Sequence, residues 1–151
     1  MALTYDDFKR GERLYYGRLS ERFYVDGKEF YKLPSGEFFS RADLHFLSMV
    51  GLYSEVEIHR IQGRLVLVFL ENHNYTVIES VEVIESQTLN QFDGFENGKL
   101  YNLKNGQVWQ QINGPHAPNH HSAGNVRIVN NEKMAVDNWN FFPTVRLLNQ
   151  R

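Results

Sequence analysis

Apolar residues along this chain recur mostly at every second position, in short runs broken by turn residues. Phe23 and Val25, Tyr31 and Leu33, Val56 and Ile58, Val126 and Ile128, Met134 and Val136, and Val145 and Leu147 each alternate with a neighbour of another kind. A period of two places such residues on one face of a strand. Asp26-Gly27, Gln62-Gly63 and Asn130-Asn131 separate the runs, and Asn105-Gly106 stands between Tyr101-x-Leu103 and Val108-Trp109. Dipeptides of this kind accept positive φ, so Asn105-Gly106 predicts a hairpin with a type I′ turn. Leu65 to Leu70 is apolar throughout and predicts a strand covered on both faces.

The period changes in two places. Thr4 followed by Asp7 resembles a helix start that Phe8, Arg10 and Leu14 could continue, but Gly11 in its middle costs about 1 kcal/mol, so a short helix or a loose turn is expected. Ser40 to Val50 begins with a capping pair, Ser40 and Asp43. It carries Leu44 and Leu47 on one face and stops at Gly51, so it predicts a helix of about three turns. Val77-Ile78 and Val81-x-Val83 predict the closing strands of the first half. Ser86 to Asn90 is the polar junction, and Asn113 to Gly124 reads as a loop.

The two halves echo each other. At an offset of 70 residues (101 − 31), Tyr31 meets Tyr101, Leu33 meets Leu103 and Gly36 meets Gly106. Phe39 meets Trp109, Val56 meets Val126, Ile58 meets Ile128 and Val66 meets Val136; Val81-x-Val83 is matched to Val145-x-Leu147. An ordered recurrence of this kind points to a duplicated unit, although apolar letters also coincide by chance in strand-rich chains. The expected fold is α+β and mostly antiparallel β. It has two tandem SH3-like small barrel units, residues 1–85 and 86–151, with one short helix around 40–50.

Composition narrows the class. With 151 residues, 42% hydrophobic and 23% charged, the chain can fill a core. The net charge of −2 divides unevenly: residues 1–98 carry 10 basic and 16 acidic side chains, and residues 99–151 carry 6 and 2. A basic second half keeps a weak nucleic-acid association open. The absence of cysteine excludes disulfides and thiolate metal sites. Acidic residues follow Met1 where a signal peptide would be basic and apolar, so a cytoplasmic chain without a membrane partner is expected.

Candidate chemistry is sparse. His116, His120 and His121 form the one cluster that could ligate a metal, against the plainer view of an exposed polar loop; Pro115 and Pro118 oppose the helix that would align them. Trp109 with Tyr101 could form a stacking platform or fill the core as Phe39 would. Trp139 could face solvent or plug a junction. Arg127 and Arg146 lie on alternating strands, where they could offer a basic face to phosphate or simply meet solvent. Neither a Gly-rich phosphate loop nor a Gly-x-Ser-x-Gly or His-Glu-x-x-His motif is present.

Residues 92–148 resemble small proteins encoded in bacterial integron gene cassettes. Leu103, Asn105-Gly106-Gln107 and Trp109-Gln110 carry the likeness, with Val126-x-Ile128, Met134-x-Val136 and Val145-x-x-Leu148. The resemblance implies a fold and no activity. The expected function is a non-enzymatic binding or interaction module without cofactor, taking a protein or small-ligand partner and able to form a homodimer. The other readings are a small metal-assisted enzyme using the His116–His121 loop and a weak nucleic-acid binder.

Overall fold

The computed structural model describes residues 3–43 and 55–150. Helix α1, Tyr5–Arg10, is held by a capping box: Thr4 Oγ1 accepts from the Asp7 amide, and the Asp7 carboxylate accepts from the Thr4 amide. It ends at Gly11, so Leu14 belongs to the next element, strand β1 (Glu12–Arg18). Strands β2 (Glu21–Val25), β3 (Lys28–Lys32), β4 (Phe38–Arg41), β5 (Glu55–Ile61), β6 (Arg64–Phe69) and β7 (Tyr75–Ser80) follow. Then come β8 (Val83–Gln87), β9 (Phe92–Phe95), β10 (Leu100–Asn102), β11 (Gln107–Asn113), β12 (Ala117–Ser122), β13 (Asn125–Val129), β14 (Lys133–Val136) and β15 (Thr144–Gln150). The protein is therefore mostly antiparallel β with one short helix among the described residues. No helix among them is long and apolar enough to cross a membrane.

The helix expected over Ser40–Val50 is not what its start forms. Ser40 and Arg41 close strand β4, and Asp43 accepts from Thr76 Oγ1 (2.5 Å) and the Val77 amide (3.0 Å). Residues 44–50 lie outside the described residues.

Two compact units divide the chain: Met1–Tyr24 with Lys28–Ser80, and Val25–Gly27 with Val81–Arg151. The first is built on one seven-stranded sheet in the order β1-β5-β6-β7-β4-β3-β2. The second has a six-stranded sheet, which read from its far edge runs β8-β13-β14-β15-β11-β10, and a separate β9–β12 pair. Thus β8, β13, β14, β15, β11 and β10 stand in the order that β1, β5, β6, β7, β4 and β3 hold in the first sheet. Val83 begins β8, which pairs with β13, and so does not close the first unit as its sequence suggested.

Register refines the correspondence. Tyr31 pairs with Phe39, and Tyr101 with Trp109. Val56 pairs with Phe69 and Val126 with Val136, separations of 13 (69 − 56) and 10 (136 − 126). The β13–β14 hairpin is thus three residues shorter, and the position of Val136 corresponds to Phe69 rather than to Val66. Likewise Val145, opposite Gln111, corresponds to Ile78, opposite Arg41, and not to Val81.

Each unit has its own core. Leu19, Tyr31, Leu33, Phe39, Val56, Ile58, Leu67, Phe69 and Ile78 form the first. Tyr101, Leu103, Trp109, Val126, Ile128, Met134, Val136 and Val145 form the second, with Phe92, Phe95 and Ala117 added. The other face of β6, Val66 and Val68, is covered with Ile61 by Leu3 and Phe8 from the N-terminal segment. This explains why that strand reads as apolar throughout.

The loops at Gly36 and Gly106 match as well, and neither is a two-residue type I′ turn. In each, the Gly amide donates to the carbonyl of Leu33 or Leu103, and the leucine amide donates to Glu37 or Gln107. Only the glycine of each loop takes positive φ, 96° and 89°. This is a three-residue loop with a left-handed third residue.

Candidate functional site

The residues singled out from sequence do not converge. Trp109 is fully buried and its Nε1 donates to Gln107 Oε1 (3.0 Å), which makes it a core residue. Tyr101 is buried against Phe92, and its hydroxyl donates to Gln111 Oε1 (2.8 Å). Burial pushes its pKa well above that of an ordinary phenol. Arg127 is paired with Glu85 directly opposite on β8 (2.9 Å), and Arg146 donates twice to its cross-strand partner Gln110. Neither Arg127 nor Arg146 is left as an isolated cation on a basic face.

The expected loop over Asn113–Gly124 contains strand β12. Ala117 and Pro118 pair with Phe95 and Gly94, and Ser122 pairs with Phe92. Within a strand, His120 and His121 point to opposite sides. His120 packs edge-on against Trp139 (4.7 Å between ring centres) and Phe141 (5.3 Å), while His116 and His121 are exposed. Trp139 is half-buried, donating Nε1–H to Ser122 Oγ (2.9 Å). Among the described residues, no three of His, Asp and Glu gather as a metal site.

A different group of side chains does converge, on the inner face of the first sheet. Tyr31 and Phe39 are cross-strand partners and belong to the core. Alternation therefore places Glu29 and Arg41, two residues along their strands, on that same face. Carried one step on, the register of the Phe30–Ser40 pair sets Glu29 across from Arg41. Arg22 from β2 pairs with the Glu29 carboxylate, and its guanidinium lies over the Phe69 ring at 5.2 Å. Glu29 is 5% exposed and Tyr31 1%, whereas the Arg41 side chain keeps 22% of its surface in solvent. Two guanidinium groups, a carboxylate and a phenol are thus built into an apolar core.

The polar atoms of this cluster are not all satisfied. Arg22 and Glu29 satisfy each other, but Tyr31 Oη and Arg41 Nε are buried with no hydrogen-bond partner. Asp43 Oδ1 is 3.9 Å from Arg41 Nε, an ion-pair distance too long for a hydrogen bond. Burial raises the Tyr31 pKa far above an ordinary phenol, and the nearby Glu29 carboxylate raises it further without meeting hydrogen-bond geometry. The phenol stays protonated and remains a donor. A buried polar group without a partner costs about 1–3 kcal/mol, so two of them on one face call for a reason.

No protein-family model, curated protein or solved structure matches this chain. The informative comparison is internal. At the 70-residue offset, Arg22, Tyr31 and Arg41 correspond to Phe92, Tyr101 and Gln111. In the second unit Tyr101 donates to the Gln111 carbonyl, and the Gln111 amide donates to Asn97 Oδ1 (3.1 Å) and the Pro115 carbonyl (3.0 Å). That network is satisfied, and the corresponding positions in the first unit are not. The sequence alone did not single out Arg22, Glu29 or Arg41, although the 70-residue offset sets Arg22 against Phe92 and Arg41 against Gln111. A charge standing where its counterpart is apolar or neutral was the available signal.

Proposed function

We propose that this chain is a non-enzymatic binding module made of one SH3-like β unit used twice, the second copy structural and the first carrying the binding site. What supports the duplication is the common strand order, the common register at Tyr31–Phe39 and Tyr101–Trp109, and the shared Gly36 and Gly106 loops. What supports the placement of the site is the contrast between a satisfied Tyr101–Gln111 pair and an unsatisfied Tyr31–Arg41 pair at the same positions. Sites of binding are where local rules for stability are broken.

Paired phenylalanine substitutions test this. Tyr101→Phe removes the donor that satisfies Gln111 and should cost about 1–3 kcal/mol. Tyr31→Phe removes an unpartnered hydroxyl and should leave stability unchanged or raise it. Equal losses in the two variants, measured by urea denaturation, would show that Tyr31 is a structural residue like Tyr101 and reject the site.

A further inference from the structure

We infer that the Tyr31–Arg41 position of the first unit binds the carboxylate group of a monoanionic ligand, with Tyr31 Oη–H and Arg41 Nε–H as its donors. This rests on the binding-module reading and names its ligand. Tyr31 is opposite Phe39, and Arg41 is two residues further along the strand of Phe39 on the same face, so the two residues are diagonal neighbours. Both atoms are buried and unpartnered. The Arg41 side chain keeps 22% of its surface in solvent and is the side from which a ligand would approach, while the phenol, at 1% exposure, lies deeper.

Both vacant groups are donors, so the ligand must supply acceptors. In the second unit the matching acceptor is a planar carbonyl, Gln111 Oε1, on the corresponding tyrosine. A planar two-oxygen acceptor fits the fork of a guanidinium, where one oxygen meets Nε and the other an adjacent N–H. Charge limits the choice further. The Glu29 carboxylate is already buried on Arg22, and Asp43 lies 3.9 Å from Arg41 while its oxygens accept from Thr76 and Val77. Two cations and two anions already stand here, so a dianion would add more unmatched charge than a monoanion, and of the two cations Arg41 is the one whose acid is too far for a hydrogen bond.

The test uses the full chain with its arginine side chains observed by 15N NMR at constant ionic strength. Sodium acetate, N-acetylglycine, acetamide and inorganic phosphate serve as probes, and Arg41→Gln is compared with the wild type. Acetate or N-acetylglycine should move the Arg41 Nε–Hε signal saturably, with acetamide and phosphate without effect. Tighter binding of N-acetylglycine would mark a chain-terminal carboxylate, and tighter binding of acetate a small free acid. In Arg41→Gln the carboxylate response should vanish while Tm rises by roughly 4–8 °C, because the glutamine supplies the partner that Gln111 gives Tyr101. A response to phosphate or acetamide equal to that of acetate overturns the ligand class and leaves the site standing. No response at Arg41 to any probe overturns both. An Arg41→Gln variant that is less stable than wild type, or unfolded, also overturns the inference.

Discussion

Trp109 illustrates how one buried side chain sets the character of a unit. It is fully enclosed among Tyr101, Leu103, Val126, Ile128 and Met134, and its indole N–H is satisfied by Gln107. Removing it leaves a cavity that a β-rich core collapses into only partly. Trp109→Ala is expected to cost about 3–5 kcal/mol in urea denaturation, with Trp109→Phe far milder because Phe39 fills the corresponding place in the first unit. Asp137 acts differently, through hydrogen bonds. Its carboxylate accepts from the Gly124 amide (2.7 Å) and from the Asn125 amide (3.0 Å), fastening the entry of β13. Partial burial works against the charged form, but these bonds and that of Ser122 outweigh it and hold the pKa below the ordinary carboxylate value. A depressed folded pKa gives stability that is complete above the unfolded pKa, about 3.8, and is lost as pH falls through the folded one. Acid titration of stability should therefore decline below about pH 4 and be flatter in Asp137→Asn than in wild type.

At the scale of elements, the second unit departs from the first at β9. In the first sheet β2 lies beside β3, whereas β9 pairs with β12. The approach is close at Gly94, where φ is 127° and a Cβ would meet the Ala117 carbonyl oxygen at 2.7 Å and Pro118 Cα at 2.9 Å. Both atoms are backbone and cannot swing aside. Gly94→Ala should separate β12 from β9, seen as faster hydrogen exchange at the amides of Phe95 and Ser122. Unchanged exchange there would mean the contact is looser than these distances. The loops at Gly36 and Gly106 place the strongest local signal of the chain in its physical setting. An Asn-Gly dipeptide admits more than one turn, and the third-residue glycine accepts positive φ while Lys104 and Asn105 stay at negative φ.

Across the whole molecule, two separate cores imply that damage to one unit stays within it. Native-state hydrogen exchange on Trp109→Ala should lose protection in β10, β11, β13, β14 and β15 while β5, β6 and β7 stay protected. Uniform loss across both sheets would show the cores to be energetically one. The same comparison shows what was legible beforehand. The period-two runs at Val56–Ile58 and Val126–Ile128, the turns at Asp26-Gly27 and Gln62-Gly63, and the recurrence of Tyr31, Leu33 and Gly36 were all readable, because each is carried by neighbours in sequence. Strand β1 was missed because its pattern begins under a helix start, and β12 because two prolines and a polar run conceal it.

Local chemistry alone thus determined most of the strand content and the turn positions, since alternation and glycine placement act over a few residues. Tertiary structure decided three further things. It moved β8 to the edge beside β13, and it shortened the β13–β14 hairpin so that Val136 takes the place of Phe69. It also brought Arg41 onto the face of Tyr31 without a hydrogen-bond partner while Gln111 satisfied Tyr101. Those outcomes depend on which strand lies opposite which, and pairing between distant strands is settled by burial across the sheet rather than by the residues on either side.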